Sequence, residues 1–216
     1  MTLYEWYNVN DDAELWEIPD YEPIQYSVGQ TFTVGNTGTN ENFDLTSIKS
    51  KQFSYSGINK LGTVTFHLRA TAAGLPTGGD LSTGTIDGDL WNNTATWYEV
   101  NMSTYGLTAS TKYCILFSTE TGTWSADRLG VRADITSPTY SGGSLIESLV
   151  TANTARDIMF EIYGSAAGGG ATATVQLNIG DAWKDASGAM TINIGDAWKP
   201  VSGLQVNIGD AWKTVF

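Results

Sequence analysis

The chain has 216 residues, which is room for one sandwich-sized domain and a small appendage. Its formal net charge is −12, and charged residues make up only 16% of it. Because its Lys and Arg residues form no run or patch, the composition argues against nucleic acid and acidic membrane surfaces as partners. The sequence shows no membrane-spanning apolar run and no recognisable secretory signal, so we expect synthesis and assembly in a cytoplasm.

The first 25 residues combine acidic and aromatic side chains. They hold seven acids and no base, together with aromatic residues such as Tyr4, Trp6 and Trp16. We interpret residues 1–25 as an arm that lies across a sheet or a neighbouring subunit. Within an assembly, we expect it to contact a basic surface on a neighbour. A first strand followed by an acidic loop is the alternative interpretation.

Residues 26–163 predict an all-β domain. In the clearest strand, Val64, Phe66 and Leu68 alternate with polar residues, as expected of a half-buried strand. The only cysteine, Cys114, lies in another apolar strand pattern and is expected to be buried. Short strands with Gly-rich turns at this spacing favour a β-sandwich. The predicted strands are 28–34, 44–55, 62–70, 81–86, 95–103, 111–119, 128–136, 144–151 and 156–163.

The C-terminal part contains an internal repeat. A Gly- and Ala-rich stretch at 164–174 predicts a linker. Within residues 175–216, the sequence Asn-Ile-Gly-Asp-Ala-Trp-Lys then occurs at 178–184, 193–199 and 207–213. Alternating aliphatic residues before each Gly-Asp predict a β-hairpin with a two-residue II′ turn. The sequence therefore predicts a module of three hairpin repeats.

Each hairpin carries one tryptophan, Trp183, Trp198 or Trp212. By area bookkeeping, the burial that 42 such residues offer falls short of their ordering entropy. We therefore expect the three tryptophans to mediate assembly, in a pseudo-threefold unit or a symmetric homo-oligomer such as a trimer. The alternative is a hairpin array whose tryptophans fill only its own core.

Segments spread over about two-thirds of the chain resemble a known domain family. They are 30–33, 62–70, 74–78, 95–99, 111–115 and 156–164. The family is the jelly-roll domain of phage and archaeal-virus structural proteins and prokaryotic surface proteins, some of them carbohydrate-binding-like. The Gly-Asp-Ala-Trp-Lys hairpins are similar to short repeats near the C-termini of phage structural and tail proteins. The resemblance implies a jelly-roll β-sandwich followed by a small hairpin module, and it brings no catalytic motif.

Two tryptophans in predicted loops are candidates for glycan binding, because sugars stack on exposed aromatic rings. They are Trp91 and Trp124, with Asn92 and Asp127 as hydrogen-bonding neighbours. The alternative is that both rings cap the ends of the sandwich core.

Carboxylates in a Gly-rich region define a candidate calcium site. Asp80, Asp87 and Asp89 offer the oxygen ligands that this cation prefers, although Asp-Gly-Asp is also ordinary turn chemistry. Apart from calcium, no cofactor is predicted. The only histidine, His67, lies between Thr65 and Arg69 on the polar face of its strand, which does not suggest a catalytic triad.

Together these patterns predict a non-enzymatic virion protein of a bacterial or archaeal virus. It would decorate the capsid surface or belong to a tail or fibre, contacting other virion proteins, with a host-surface glycan as a further candidate partner. The alternative is a carbohydrate-binding module or adhesin at a cell surface. A polysaccharide hydrolase, which would need a pair of carboxylates across a groove, is the third class.

Overall fold

The chain forms two compact units, Met1–Ala167 and Gly168–Phe216, in a computed structural model. The structure describes residues 1–16, 28–54, 61–119, 129–147 and 149–167. In the tail it describes the strand residues 176–178, 183–185, 191–194, 197–200, 205–208 and 211–214. None of these residues belongs to a helix long and apolar enough to cross a bilayer.

The first unit is built from antiparallel strands. In chain order they are β1 (Thr2–Tyr7), β2 (Ala13–Trp16), β3 (Val28–Thr33), β4 (Phe43–Ser54), β5 (Thr63–Ala72), β6 (Leu75–Asp87), β7 (Thr96–Leu107), β8 (Lys112–Thr119), β9 (Leu129–Asp134), β10 (Leu145–Glu147), β11 (Thr151–Asn153), β12 (Asp157–Ile158) and β13 (Phe160–Ala166).

Within the described residues these strands form two sheets. The seven-stranded sheet runs β1-β13-β4-β9-β12, with β2 paired to β9 and β7 paired to β4. The six-stranded sheet runs β11-β10-β3-β8-β5-β6. From β3 to β9 the chain repeatedly crosses between the two sheets. The all-β sandwich predicted from the sequence is confirmed.

The core lies between the two sheets and is rich in phenylalanine. The ring of Phe66 on β5 meets that of Phe117 on β8 edge-on, with the ring centroids 4.7 Å apart. The alternation predicted for β5 is confirmed, because Val64, Phe66 and Leu68 are all fully buried. The same alternation sends His67 to the opposite face.

That opposite face is partly covered, which the alternation did not indicate. Cys114 and Leu116 on β8 are fully buried there with Ile146, and Leu75 and Leu149 pack against them. Burial also raises the pKa of the Cys114 thiol, which keeps it protonated and unreactive. The predicted burial of Cys114 is therefore confirmed.

The Gly-rich stretch after β5 is mostly strand rather than loop. β5 and β6 form a long hairpin in which Ala72 pairs with Leu75. The two residues between them, Ala73 and Gly74, have φ of 51° and 80°. Positive φ at both central residues is the requirement of a type I′ turn, which matches the twist of the flanking strands.

The predicted N-terminal arm is wrong for its first residues, because β1 is an edge strand of the seven-stranded sheet. It pairs antiparallel with β13 from Thr2 to Tyr7, with a register shift between Leu3 and Glu5. Tyr4 and Tyr7 belong to the buried core, and the Tyr4 ring stacks on that of Phe43 with centroids 4.0 Å apart. Residues 17–25 of the predicted arm lie outside the described residues.

The acidic residues that follow β1 meet bases of this chain, whereas the sequence predicted a basic surface on a neighbour. Asp11 is ion-paired with both Lys51 and Arg132. Glu14 on β2 is 3.0 Å from Arg132 Nη1. These bases lie on the adjoining strands β4 and β9, so the pairing of β2 with β9 brings opposite charges together.

The tail contains three hairpins at the predicted places. They are β14 (Gln176–Asn178) with β15 (Trp183–Asp185), β16 (Thr191–Ile194) with β17 (Ala197–Pro200), and β18 (Gln205–Ile208) with β19 (Ala211–Thr214). Each pair is its own two-stranded antiparallel sheet. The Gly-Asp turns and most of the predicted linker lie outside the described residues. The first residues of the predicted linker belong to a strand, because β13 extends to Ala166.

Candidate functional site

A surface cavity of about 430 Å³ lies at one edge of the sandwich. Three segments far apart in sequence meet there: the end of β1, the turn after β3, and the segment before β10. Trp6, Asn8, Asn36, Thr37, Thr139 and Ser141 line it, and Val9 and the rings of Tyr7 and Tyr140 complete the wall.

Buried Glu5 holds the turn that forms one wall. Its Oε2 accepts hydrogen bonds from the backbone N–H groups of Gly35 and Asn36, both at 3.0 Å. Its Oε1 accepts from Thr37 N at 2.9 Å and from Tyr140 Oη at 3.0 Å. Gly35 has a φ of 82°, which lets successive N–H groups converge on one carboxylate. Glu5 therefore fixes the turn and has its oxygens occupied from inside the protein.

Asp134 holds the opposite wall in a similar way. Its Oδ2 accepts a 2.6 Å hydrogen bond from Tyr7 Oη, and its Oδ1 accepts from Ser137 N at 2.9 Å. Thr139 N in turn donates to Tyr7 Oη at 3.2 Å. Burial, followed by the hydrogen bond to Asp134, raises the pKa of Tyr7, so its hydroxyl keeps its proton. The 136–139 segment is thereby tied to β1.

A third carboxyl group, Asp157 on β12, lies beneath Tyr140. Its Oδ2 accepts from Tyr140 N at 3.1 Å, and its Oδ1 accepts from Gln30 Nε2 at 2.9 Å. Gln30 Oε1 completes this series of hydrogen bonds by accepting from Ile158 N at 3.1 Å. Burial raises the pKa of Asp157 to about 6. Burial, followed by the charge of Glu5, also raises the pKa of the Tyr140 hydroxyl.

The groups facing the cavity are uncharged. Trp6 is half-buried, and its indole N–H makes no hydrogen bond within the described residues. Ser141 Oγ donates to Asn36 Oδ1 at 3.0 Å, so the Asn36 amide is held through its oxygen. Asn8 Nδ2 donates to Glu161 Oε1 at 2.9 Å. An aromatic ring beside amide and hydroxyl groups suits a neutral ligand that is both polar and partly apolar.

Sequence reasoning missed this cavity. Its sequence context assigns Trp6 to the N-terminal arm, and no local pattern connects it with Asn36 or Ser141, which lie 30 and 135 positions further along. The Gly-Asn-Thr-Gly stretch at 35–38 was the one available signal, since it marks a turn with unusual backbone angles.

The predicted glycan platform at Trp91 is wrong. Trp91 is 4% exposed, and its ring stacks on that of Tyr98 with centroids 3.8 Å apart. The ring therefore caps the core, which was the alternative interpretation. A residue in a loop can still bury a large ring when it packs against a strand, here against Tyr98 of β7. Asn92 is exposed and its Oδ1 accepts from Thr94 N at 2.8 Å. Trp124 and Asp127 lie outside the described residues.

The predicted calcium ligands are not brought together. Asp80 and Asp87 lie seven positions apart on β6, which at about 3.3 Å per residue separates them by roughly 20 Å. Asp87 Oδ1 accepts from Asp89 N at 2.9 Å, and Asp89 Oδ1 accepts from Gly62 N at 2.8 Å, so both serve the turn. Within the described part of the chain, no group of three His, Cys, Asp or Glu side chains is placed to hold a metal ion.

His67 joins two side chains on the outer face of the six-stranded sheet. Its Nδ1 lies 3.0 Å from Asp80 Oδ2, and its Nε2 lies 2.8 Å from Ser118 Oγ. Arg69 Nε also donates to Asp80 Oδ1, at 2.7 Å. Burial lowers the pKa of His67 more than the neighbouring Asp80 raises it. The order of groups is that of a catalytic triad, which the sequence did not suggest.

The backbone around this Asp-His-Ser row is engaged in sheet pairing. β5 lies between β8 and β6, and β8 lies between β3 and β5, so ladder hydrogen bonds occupy their backbone N–H groups. An oxyanion needs donors that are free to point at it. The described parts of β5 and β8 therefore offer the row no free backbone donor for an oxyanion, and the row links β5, β6 and β8 across the outer face of the sheet.

Comparison with known proteins adds no family to this description. No protein-family model matches the chain, and no curated protein matches it in sequence.

Proposed function

We propose that this chain is a non-enzymatic structural protein of a bacterial or archaeal virus particle, and that it assembles through its hairpin repeats. The observation that carries the proposal is the set of three hairpins with equivalent registers. Trp183 pairs with Asn178, Trp198 with Asn193, and Trp212 with Asn207, each in a separate two-stranded sheet.

An isolated two-stranded hairpin is marginally stable in water. In the second repeat Trp198 pairs directly with Asn193, whereas Ile192 and Ile194 occupy the alternate positions. Each ribbon therefore brings one tryptophan and several aliphatic residues to only two strands, which cannot bury them alone. Such a ribbon needs cover from outside itself. Further copies of the same ribbon, in a symmetric oligomer, supply that cover.

Assignment to a virus particle, rather than to a cell surface, is supported by the resemblance of these repeats to those near the C-termini of phage structural and tail proteins. Such repeats also suit a protein that is present in many copies in a particle, because each copy adds equivalent contacts to the assembly. Capsid surface, tail and fibre are all compatible with this placement.

Light scattering coupled to size-exclusion chromatography tests the assembly. We expect the full chain to elute at a multiple of its 23.2 kDa mass, a trimer being the simplest arrangement. Replacing Trp183, Trp198 and Trp212 together by alanine should give a monomer whose sandwich still melts cooperatively. A matched control replaces Lys184, Lys199 and Lys213 by alanine and should keep the oligomer.

A monomeric full chain with protease-resistant hairpins would refute assembly through the repeats. Placement in a particle has its own test: antibodies raised against the sandwich should label virus particles purified from the encoding organism. Labelling confined to the cell envelope would instead favour the surface adhesin.

The second candidate function is that of a carbohydrate-binding module. The cavity beside Trp6 favours it, because an aromatic ring and neutral polar groups converge on one site. The two functions are compatible, since a virion protein can also carry a receptor-binding site.

A further inference from the structure

We propose that the cavity bounded by Trp6, Asn36 and Ser141 binds the pyranose ring of a neutral saccharide. This deepens the second candidate function and does not depend on how the chain assembles. The cavity has a volume of about 430 Å³, which falls within the range of small-ligand sites, about 300–1,000 Å³. A sugar ring or a disaccharide end is of this size.

The charges select a neutral ligand. No side chain that lines the cavity is charged, and the two buried acids behind its walls, Glu5 and Asp134, are satisfied by internal donors. An anionic ligand would meet two carboxylates below the surface with no base among the lining residues. A cationic ligand would find no lining carboxylate. Hydroxyl groups, which both donate and accept, match the amides and hydroxyls of Asn8, Asn36 and Ser141.

Trp6 is placed to stack on the apolar face of a sugar. Its ring packs beside Gly38, where an added Cβ would lie 3.0 Å from Trp6 Cζ3 and 2.1 Å from Tyr4 O. Only glycine therefore allows this close approach of the turn to β1. With its indole N–H unpaired within the described residues, Trp6 offers a ring face and one donor.

The walls are fixed before any ligand arrives. Glu5 holds the 35–37 turn, Asp134 holds Tyr7 and the 136–139 segment, and Asp157 holds Tyr140. A rigid site lowers the ordering entropy that binding costs. Even so, a single sugar ring has few atoms, so a dissociation constant of about 1 mM is the expected scale.

Nuclear magnetic resonance of the full chain tests the site directly. The indole N–H signal of Trp6 is assigned by its loss in Trp6→Phe. The probes are neutral sugars (glucose, galactose, mannose, rhamnose and N-acetylglucosamine) at millimolar concentrations, with glucuronic acid and glucosamine as charged counterparts. We expect at least one neutral sugar to shift this signal saturably, and the charged counterparts to bind at least several-fold more weakly.

Substitutions of residues that line the cavity test whether the sugar binds there. Asn36→Ala and Ser141→Ala should each weaken it by about tenfold, the loss of one good hydrogen bond, without changing the melting temperature by more than a few degrees. Trp97→Phe, a tryptophan of β7 that does not line the cavity, is the matched control and should leave binding unchanged.

Three results would overturn the proposal. They are no shift with any neutral sugar, a preference for the charged counterparts, and unchanged affinity in both Asn36→Ala and Ser141→Ala. None of these results bears on the oligomeric state, so the site and the assembly can fail separately.

Discussion

Replacing Glu5 with glutamine tests whether one buried carboxylate organises the cavity edge of the sandwich. Glu5 is fully buried, and its side chain accepts from three backbone N–H groups and from the Tyr140 hydroxyl. Glutamine has nearly the same shape but has only one acceptor oxygen, and its amide group donates hydrogen bonds instead.

The geometry sets the expected cost. An amide oxygen in the place of Oε2 keeps the bonds from Gly35 and Asn36, while Nε2 in the place of Oε1 can donate to Tyr140 Oη. The two retained bonds lose their charge assistance, at about 1 kcal/mol each, and Thr37 N loses its shorter bond, at about 1–2 kcal/mol. We expect Glu5→Gln to lower the free energy of unfolding by about 3 kcal/mol, a large part of a typical domain stability.

Urea unfolding followed by circular dichroism measures this loss, and the melting temperature should fall by roughly 10 °C. Glu14→Gln is the matched control, because Glu14 is an exposed partner of Arg132 and surface ion pairs contribute at most about 1 kcal/mol. A Glu5→Gln variant as stable as the Glu14→Gln variant would refute the organising role of Glu5.

Four further variants or probes test the described packing. Trp91→Ala should cost about 3–5 kcal/mol in urea unfolding, because the ring is a core residue; a loss below 1 kcal/mol would contradict its burial. Gln52→Met should raise stability by about 1–2 kcal/mol, because both polar atoms of Gln52 are buried without a partner in the described structure; a loss would indicate that they bind an internal water or ligand. Burial raises the pKa of Asp157 to about 6 from the 3.8 of an exposed aspartate, so the folded state binds this proton more tightly than the unfolded state. Its contribution to stability therefore falls as pH rises from about 4 to about 6. When the free energy of unfolding is measured across this pH range, the Asp157→Asn variant should lack this fall. Finally, a fluorophosphonate probe should leave Ser118 unlabelled at neutral pH, and labelling abolished in His67→Ala would restore the hydrolase interpretation.

Several features follow from short stretches of sequence alone. The alternation of Val64, Phe66 and Leu68 predicted a core strand, and the repeated Gly-Asp-Ala-Trp-Lys predicted three hairpins, because strand periodicity and turn chemistry act over a few neighbouring residues. The burial of Cys114 followed from the same kind of pattern. Such patterns also defined the all-β class.

The errors share a cause. The acids of residues 1–25 suggested an arm that contacts a basic surface on a neighbour. Glu5 is instead buried because a turn 30 residues away presents its N–H groups to it, and Asp11 meets Arg132 of its own chain across 121 residues. Trp91 lies in a stretch that looks like a loop, yet its ring stacks on Tyr98. His67 has the parity of an outward residue, but the outer face of its sheet is itself partly covered.

The sequence by itself determined the strand-rich class, the repeat module and the faces of individual strands, since these depend on periodicity along the chain. Only the tertiary structure decided which acids are satisfied, which tryptophans are buried, and that Trp6, Asn36 and Ser141 share one cavity. The physical reason is that burial and hydrogen-bond partners are properties of pairs brought together by sheet pairing, and contacts across more than a hundred residues leave no local pattern.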